Sequence, residues 1–474
     1  MKKLLNDTII YGIGAILPRI ITFALNPFFI HYINREEFAQ FTNLYAWVAF
    51  VNIVLTFGFE TSFFRYSAEK GEEAKVFNTS FWFLLLSSGV FLLLVILFNQ
   101  SISAYLKYPD TPEYIRWFAY IAFLDTICVI PLAWLRFKGM PIRYTAIRVS
   151  SILVQTMVVL SLFVFIPKDF AKGLGLNNQV SYAFISNVLG SLTTFLLLLP
   201  IVFKVRFYFS KYLFFKMIRY SIPIMLAGLA FMVNENFDKL VQYYLIPEGD
   251  AGAYGGCYKL AVLMTLFVTA YRMGVEPFFF KQIGDKNAPK TYAQVTEFFT
   301  YFASISAMAI IGNISWLKRL FITDESYWTA IDIVPIITIA NLCFGVYYNF
   351  STWYKVTDRT AVGTLISWLG AVLTIILNVF LLREYGFMVS AWVTFVAYFV
   401  MMVISYILGQ KYYPIPYNML GISSMLLLLM FFTIIHWLAG YNVFVGNALI
   451  FVLVLYTIWL NRGYSQKIKE KLSS

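Results

Sequence analysis

The chain has 474 residues, of which 60% are apolar and only 13% are charged, about half the charged share of a typical globular protein. This composition excludes a string of soluble domains. The apolar residues occur in stretches of about 20, the length that an α-helix needs to cross a bilayer core. Backbone groups in lipid must bond within such helices, and a β-barrel would show short alternating segments instead. We therefore expect an all-α polytopic membrane protein.

Fourteen membrane spans are predicted, and the connections between them are too short to house a separate domain. They cover residues 7–31, 39–64, 76–98, 113–136, 143–166, 179–203, 216–246, 250–280, 290–314, 328–350, 360–382, 387–409, 418–439 and 442–461. The N-terminus, the even-numbered loops and the C-terminus carry 23 Lys and Arg residues, whereas the odd-numbered loops carry 7. By the positive-inside rule, this asymmetry predicts that both termini are cytoplasmic. The net charge of +12 therefore does not indicate a nucleic-acid partner.

Helix 1 begins like a signal peptide, because Lys2 and Lys3 precede an apolar run. Asp7, Pro18 and Arg19 interrupt that run and no small-residue cleavage site follows, so we expect a retained first helix. Arg19 lies about halfway along it, next to a proline that breaks the hydrogen-bond ladder. A cation near the bilayer centre costs about 2.5–3.5 kcal/mol on insertion scales. Arg19 is therefore expected to face a cavity or a partner.

The loop between helices 6 and 7 is the most basic one. Its cations are expected to set the topology and to contact anionic lipid head groups; they are Lys204, Arg206, Lys211, Lys216 and Arg219.

Helix 7 carries the densest polar cluster, Asn234-Glu235-Asn236-Phe237-Asp238-Lys239. Spacings of three and four place Glu235, Asp238 and Lys239 near one face of the helix. Two interpretations stay open: the charges neutralise one another as packing contacts, or they line a water-filled cavity. We favour the cavity, because helix 7 repeats helix 1 and its Arg19. Asp238 or Glu235 is then the candidate to bind a coupling proton or Na⁺.

Helix 8 adds two further cations within the membrane, Lys259 and Arg272. Arg272 and Glu276 are four residues apart, so a local ion bridge near the cytoplasmic face is an alternative to a substrate contact. Several cations inside the membrane together indicate a site for an anion such as phosphate or carboxylate. The predicted substrate-binding residues are Arg19, Lys239, Lys259 and Arg272. Secondary candidates are Asp125, Asp332 and Glu297, the last with Arg148 or a loop cation as its expected partner.

The sequence offers no pattern for a metal or nucleotide cofactor. Its three cysteines lie far apart inside predicted spans, and it has only two histidines, which suits neither a disulfide framework nor a metal site. No Walker-type Gly-Lys-Ser/Thr sequence occurs, so ATP is not an evident energy source. We expect no cofactor apart from a coupling H⁺ or Na⁺.

The chain contains an internal repeat. Gly58-Phe59-Glu60-Thr61-Ser62-Phe63-Phe64 recurs as Gly274-Val275-Glu276-Pro277-Phe278-Phe279-Phe280, at an offset of 216 residues. Tyr45 and Tyr258, with the residues before them, match at an offset of 213. Such repeats are typical of transporters built from two helix bundles. We predict lobes at 1–210 (helices 1–6) and 211–414 (helices 7–12), followed by helices 13–14 and a basic tail at 415–474. Glu60 and Glu276 are symmetric candidates for gating or lobe bracing.

Several segments resemble the Wzx-type oligosaccharide flippases of the multidrug/oligosaccharidyl-lipid/polysaccharide exporter superfamily. Residues 17–27, LPRIITFALNP, are similar to the family's first helix, residues 58–66 to its second-helix ending, and residues 272–279 to its eighth helix. Asn378 with Tyr385-Gly386 is similar to the turn between helices 11 and 12. The family usually has Pro before that Tyr-Gly and Gly-Ala-Ala after it, where this chain has Arg383-Glu384 and Val389-Ser390-Ala391.

The resemblance implies two six-helix lobes related by a parallel pseudo-twofold around a central cavity, with helices 13 and 14 appended. It implies a multi-pass protein of the bacterial inner membrane that flips undecaprenyl-diphosphate-linked oligosaccharide to the outer leaflet by alternating access, for lipopolysaccharide or other cell-surface polysaccharide. Its partners would be that glycan lipid, membrane lipids, and a polysaccharide polymerase with other assembly proteins. Cavity cations, Arg19 above all, would engage the diphosphate.

Two other functions stay open at this stage. An ion-coupled drug or cation antiporter of the same fold would depend on an acid in an otherwise neutral cavity. A membrane polysaccharide polymerase or glycosyltransferase would need a sizeable outer loop with catalytic groups, and the longest outer loop, about 99–112, is short. We therefore expect a transporter and not an enzyme.

Overall fold

The computed structural model describes residues 2–69 and 71–473, with side chains described except those of residues 2–9, 11, 277 and 462–473. Within these residues, fourteen helical stretches are long and apolar enough to cross a membrane. They are α1 Gly12–Tyr32, α2 Arg35–Ser67, α3 Glu73–Leu97, α4 Pro112–Phe137, α5 Pro141–Phe165, α6 Gln179–Val202, α7 Lys211–Leu245, α8 Glu248–Lys281, α9 Ala288–Gly312, α10 Ile333–Val356, α11 Thr360–Tyr385, α12 Met388–Tyr412, α13 Met419–Leu438 and α14 Val443–Asn461. Each predicted span has its counterpart, and the predicted all-α polytopic fold class is confirmed.

The ends of these helices follow from local sequence. Asn34, Asn178 and Asn418 each precede a helix and accept a hydrogen bond from a backbone N–H three residues later, which satisfies one of the amides that a helix start leaves free. Proline occupies the first position of α4 and α5, where its missing N–H costs nothing. Short helices lie between spans: Asn99–Tyr105, Lys168–Gly173, Ile314–Phe321 and the 3₁₀ turn Glu325–Ala330.

The chain divides into two compact units, Met1–Tyr243 and Tyr244–Ser474. Most of α7 therefore packs with the first six spans. The predicted lobes at 1–210, 211–414 and 415–474 rest on the internal repeat and not on compactness, so they stay a prediction. We call the end of each unit that carries the even-numbered loops its inner end, because the charge distribution predicts it to be cytoplasmic.

In the first unit, α4 packs against α2, α3, α5 and α6. Aromatic side chains fill the inner end of this core: Phe59 and Phe63 of α2 pack with Phe77 of α3 and with Met217 of α7. At the opposite end, the fully buried Asn43 of α2 donates to the Leu240 carbonyl of α7 (2.8 Å) and accepts from the Tyr108 hydroxyl (2.9 Å). The helix α7 is thus held to α2 near both of its ends.

In the second unit, α10 is the central helix and is buried along nearly its whole length. It packs against α8, α9 and α12. The α13–α14 pair attaches to this unit through α9, where Gly312 and Gly446 bring two backbones into contact. The Tyr441 hydroxyl, in the α13–α14 loop, donates to the Asp332 carboxylate at 2.7 Å. Burial, together with this carboxylate, raises the pKa of the Tyr441 phenol.

Two spans are broken at positions that the sequence explains. In α1 the helix runs unbroken through Pro18 to Ala24 and breaks at Leu25, just before the Asn26-Pro27 pair. In α2 the break is at Phe57 and Gly58, which both have left-handed backbones (φ 49° and 68°). A Cβ atom on Gly58 would lie 3.0 Å from the Ser221 carbonyl oxygen of α7, so glycine permits both the turn and the close approach.

Candidate functional site

Arg19 lies on the exposed face of α1, inside the span and well away from both of its ends. Among the described residues, no carboxylate forms an ion pair with its guanidinium. One turn later, the Thr22 hydroxyl donates to the Pro18 carbonyl at 2.9 Å, which helps the helix to continue past the proline. Arg19 therefore presents a positive charge without a protein counter-charge in the described part of the chain.

The polar cluster of α7 is drawn together on one helix face. The Lys239 Nζ atom lies 2.7 Å from the Glu235 carbonyl oxygen and 3.1 Å from Asp238 Oδ1. The side chains of Lys239 and Asp238 are only 12% and 4% exposed. Their charges therefore largely offset each other, as in the packing interpretation of this cluster. Glu235 is half-buried beside them and supplies a second acid at the same level of the helix.

Glu60 pairs with a cation that the sequence analysis did not select. Its carboxylate accepts a hydrogen bond from Arg136, at the inner end of α4. The Arg136 guanidinium also lies 5.0 Å from the centroid of the Phe64 ring, one turn after Glu60. The pair thus joins α2 to α4 within the first unit.

Glu276 makes the equivalent contact in the second unit. Lys355 Nζ, at the inner end of α10, lies 3.3 Å from Glu276 Oε1. The local bridge from Glu276 to Arg272, which the sequence left open as an alternative to a substrate contact, is not among the ion pairs of the described residues. The Arg272 guanidinium instead lies 4.3 Å from the centroid of the Tyr348 ring, and Lys355 Nζ lies 3.7 Å from the same centroid. The tyrosine ring thereby contacts two cations.

Of the remaining candidates, the three acids each accept a hydrogen bond, and the lysine is half-buried. Lys259 is half-buried on α8. Asp125 accepts a hydrogen bond from the Ser191 hydroxyl of α6 at 2.7 Å. Glu297, which the sequence analysis assigned to Arg148 or a loop cation, accepts a hydrogen bond from the Asn418 backbone N–H at the start of α13 (3.1 Å). Asp332 is bonded by Tyr441, as described above.

The structure therefore divides the predicted residues between the two units. Arg19, Glu60 and the α7 cluster belong to the first unit, and Lys259, Arg272 and Glu276 belong to the second. Arg136 and Lys355 were absent from the predicted site residues. Extending the repeat would have found them, since Glu60 and Glu276 differ by 216 positions and their cation partners by 219.

Comparison with known protein families gives two matches. The sequence model of the family described as polysaccharide biosynthesis protein matches residues 4–282, more than half of the chain. That of the family described as MatE matches residues 223–380. Among curated proteins, an uncharacterized membrane protein of Haemophilus influenzae is 21% identical over 285 residues, which are 59% of this chain and 66% of that protein, just under two thirds of its length.

Three solved structures illustrate the likeness in fold. A lipid II flippase MurJ in an inward closed conformation superimposes with a TM-score of 0.74 over 97% of this chain and 99% of its own, at 15% identity. An inward-facing multidrug resistance MATE family transporter of the MOP superfamily has a TM-score of 0.64 over 88% of this chain and 98% of its own, at 14% identity. The Vibrio cholerae MATE transporter VcmN has a TM-score of 0.60 over 86% and 96%, at 15% identity. At these identities the likeness establishes the fold.

Proposed function

The chain belongs to the polysaccharide biosynthesis protein family, within a superfamily of membrane transporters and flippases, and on that premise we propose that it flips undecaprenyl-diphosphate-linked oligosaccharide. The direction is from the cytoplasmic to the outer leaflet of the bacterial inner membrane, and the process is alternating access. The product serves the assembly of lipopolysaccharide or another cell-envelope polysaccharide.

The observation that carries this proposal is the position of Arg19 inside a membrane span without an ion-pair partner among the described residues. A guanidinium held inside a membrane span, with no ion pair to a described carboxylate, is costly unless an anion or water reaches it. A guanidinium also matches the oxygens of a phosphate in a bidentate arrangement. The diphosphate of a lipid-linked sugar supplies such an anion, whereas a lipophilic cation would be repelled.

The other predicted cations fall into two classes. Arg272 resembles Arg19, because it forms no ion pair among the described residues; its guanidinium lies over the rings of Phe344 and Tyr348. Lys239 is already paired with Asp238. We therefore assign diphosphate binding to Arg19 and Arg272, with Lys259 as a further contact. In this proposal Lys239 joins the diphosphate site when a coupling H⁺ or Na⁺ binds at Asp238 or Glu235.

This coupling to H⁺ or Na⁺ is part of the proposal, as is the supply of product to a polysaccharide polymerase and other assembly proteins. The exchange of the buried ion pair for a neutralised acid plus an ammonium group that can contact the substrate gives a physical route from ion binding to substrate binding. Replacing Asp238 by Asn should uncouple transport from the ion gradient while substrate binding persists.

The test is transport in proteoliposomes. A labelled undecaprenyl-diphosphate oligosaccharide is incorporated in both leaflets, and a non-permeant probe follows how fast the inner pool becomes accessible. Arg19→Ala should lower this rate at least about ten-fold, and Arg19→Lys should restore part of it, because the charge remains and the bidentate contact is lost. The matched control is Arg116→Ala, an exposed cation at the start of α4, which should leave the rate unchanged. A folded, fully active Arg19→Ala protein would refute the assignment.

The family match over residues 223–380 supports one alternative, an antiporter that exports lipophilic cations. In that case Asp238→Asn should abolish proton-driven efflux of a cationic dye, and Arg19→Ala should not. Dye efflux without exchange of the glycan lipid would favour this alternative. Since the matched family and the similar folds include flippases and transporters, we do not propose an enzymatic activity.

A further inference from the structure

A basic cavity lies at the inner end of the first unit, apart from the residues discussed above. Its volume is about 520 Å³, it is open to the surface, and it is lined by the first turns of α3 and α5, the last turns of α4 and α6 and the segment after α6. Four cations line it: Lys138, Arg143, Lys204 and Arg206. This end of the unit is the one that the charge distribution predicts to lie at the cytoplasmic membrane surface.

The charge of this cavity is largely unmatched. Lys138 pairs with Glu73, whose Oε1 lies 2.8 Å from Lys138 Nζ. Among the described residues, no ion pair engages Arg143, Lys204 or Arg206. Three cations around one cavity form an electrostatic site for an anion with several oxygens, such as a phosphate ester.

The segment that carries two of these cations is fixed in place. Residues 203–210, between α6 and α7, have no regular structure, but Trp82 Nε1 of α3 donates to the Arg206 carbonyl at 3.0 Å. The Ser210 N–H donates to the Thr79 hydroxyl, also of α3, at 3.3 Å. The Trp82 ring in addition packs edge-on against Phe207. The cations of this segment are therefore held at the cavity by contacts that do not involve their charges.

Two apolar grooves follow the same face of α3 beyond the basic cavity. The first, of about 380 Å³, shares no lining residue with the basic cavity but begins one turn further along α3, where Phe81 and Trp82 follow Phe77 and Asn78, and it is lined by α3, α4 and α6. The second, also of about 380 Å³, shares Trp82, Leu85 and Phe123 with the first and extends along α3 to Leu93. From Asn78 in the basic cavity to Leu93, a helix rises roughly 22 Å, more than one leaflet of a hydrocarbon core of about 30 Å.

We propose that these three spaces form a binding site for one anionic phospholipid of the cytoplasmic leaflet. Its phosphate would lie among Arg143, Lys204 and Arg206, and its acyl chains would occupy the grooves beside Trp82 and Phe123. Neither a free phosphate nor a nucleic acid would use the apolar grooves, and a neutral lipid would not use the three cations. The bound lipid would add to the Trp82 and Thr79 contacts that already hold the segment before α7 against α3.

The first experiment measures lipid binding by the purified full-length protein with native mass spectrometry. Phosphatidylglycerol is titrated in parallel with phosphatidylcholine of the same chains, and we expect a preference of at least about ten-fold for the anionic lipid. Lys204→Gln with Arg206→Gln should remove most of that preference. The matched control is Lys211→Gln with Arg219→Gln, which removes two exposed cations just after this segment, outside the cavity. If both double variants lose the preference for phosphatidylglycerol equally, the anionic lipid is attracted by the surface charge in general, and the proposed site is overturned.

The second experiment separates the head group from the chains. Glycerol phosphate and a short-chain phosphatidylglycerol should displace bound long-chain phosphatidylglycerol at least ten-fold more weakly than the long-chain lipid itself does. If all three compete equally well, the site recognises only the phosphate, and the proposal is overturned. Gly89 lines the second groove, and a Cβ atom there would meet only the Phe123 ring, at 4.0 Å. Gly89→Leu should therefore fill the groove and weaken long-chain binding without changing short-chain binding. Unchanged long-chain binding in that variant would place the chains elsewhere. None of these outcomes depends on the transport assay of Arg19.

Discussion

The clearest signal at the scale of single residues is the repeated ion pair. Glu60 with Arg136 and Glu276 with Lys355 occupy matching positions of the internal repeat, and each joins the second helix of its half to the fourth. In each pair the cation also contacts an aromatic ring, Phe64 or Tyr348. An arrangement that recurs after more than two hundred residues indicates that both ion pairs have the same role, either bracing or gating.

The first prediction concerns the strength of the two pairs. In Glu276–Lys355 the lysine side chain is 22% exposed and the glutamate side chain 45%, whereas both side chains of Glu60–Arg136 are more than 40% exposed, so the two pairs differ in burial on the cation side only. Water weakens exposed pairs to below about 1 kcal/mol. A double-mutant cycle with Glu276→Gln and Lys355→Gln should therefore give a coupling of about 1–2 kcal/mol, and the Glu60 and Arg136 cycle a smaller one. Chemical unfolding in micelles measures both, and a larger value for Glu60–Arg136 would contradict the role of burial.

The second prediction separates bracing from gating. Each glutamate forms its ion pair within its own unit. Its loss should therefore destabilise that unit without removing a gate that forms and breaks during transport. We expect Glu60→Gln to lower the unfolding temperature by a few degrees while the transport rate stays within about two-fold. A stable Glu60→Gln protein whose transport falls ten-fold would identify a gate instead. The exchange of charges, Glu60→Arg with Arg136→Glu, should restore the stability if the pair is a brace.

Among the helices, the two copies of the internal repeat differ more in backbone structure than in sequence. Gly58 stands at the break of α2, whereas Gly274 lies within an unbroken α8 and a Cβ atom there would meet no atom within 4 Å. Gly58→Ala should therefore destabilise the protein by about 1–2 kcal/mol for the left-handed backbone alone, with a further cost from the close approach to Ser221. Gly274→Ala should be neutral or stabilising by up to about 1 kcal/mol. Similar unfolding temperatures for the two variants would contradict the left-handed backbone at Gly58 and therefore the break in α2.

A second prediction at this scale concerns the attachment of α14. A Cβ atom on Gly446 would lie 2.1 Å from the Gly312 carbonyl oxygen of α9, so alanine forces two backbones apart. Small residues at such contacts let membrane helices pack closely, and overpacking costs about 1–3 kcal/mol. Gly446→Ala should expose the α13–α14 loop to protease earlier on heating. Gly12→Ala, in open space on α1, is the control, and equal protease resistance of the two would argue against this contact.

For the molecule as a whole, the sequence predicted what depends on local composition. Hydropathy located all fourteen spans, because a membrane helix must be apolar over its length. Contacts between distant residues were harder to predict: local spacing offered Arg272 as one possible partner of Glu276, whereas the packing of α10 against α8 brings Lys355, 79 residues away, to Glu276. Pro18 was expected to break α1, but the break follows at Leu25. A proline inside a long helix can be absorbed when the rest of the span stays helical.

The orientation in the membrane is a prediction from loop charge, and the buried thiols of this chain make it directly testable. Cys128, Cys257 and Cys343 are all buried, so an impermeant maleimide should label only introduced cysteines. Tyr105, before α4, is 86% exposed, and Lys286, before α9, is exposed as well. Tyr105→Cys should react in intact cells, and Lys286→Cys only after permeabilisation. The wild-type chain is the control for background, and detergent-solubilised protein is the control for reactivity. Because consecutive spans alternate in direction, two loops of known side orient all fourteen; the reverse pattern, or labelling of both from outside, would contradict cytoplasmic termini.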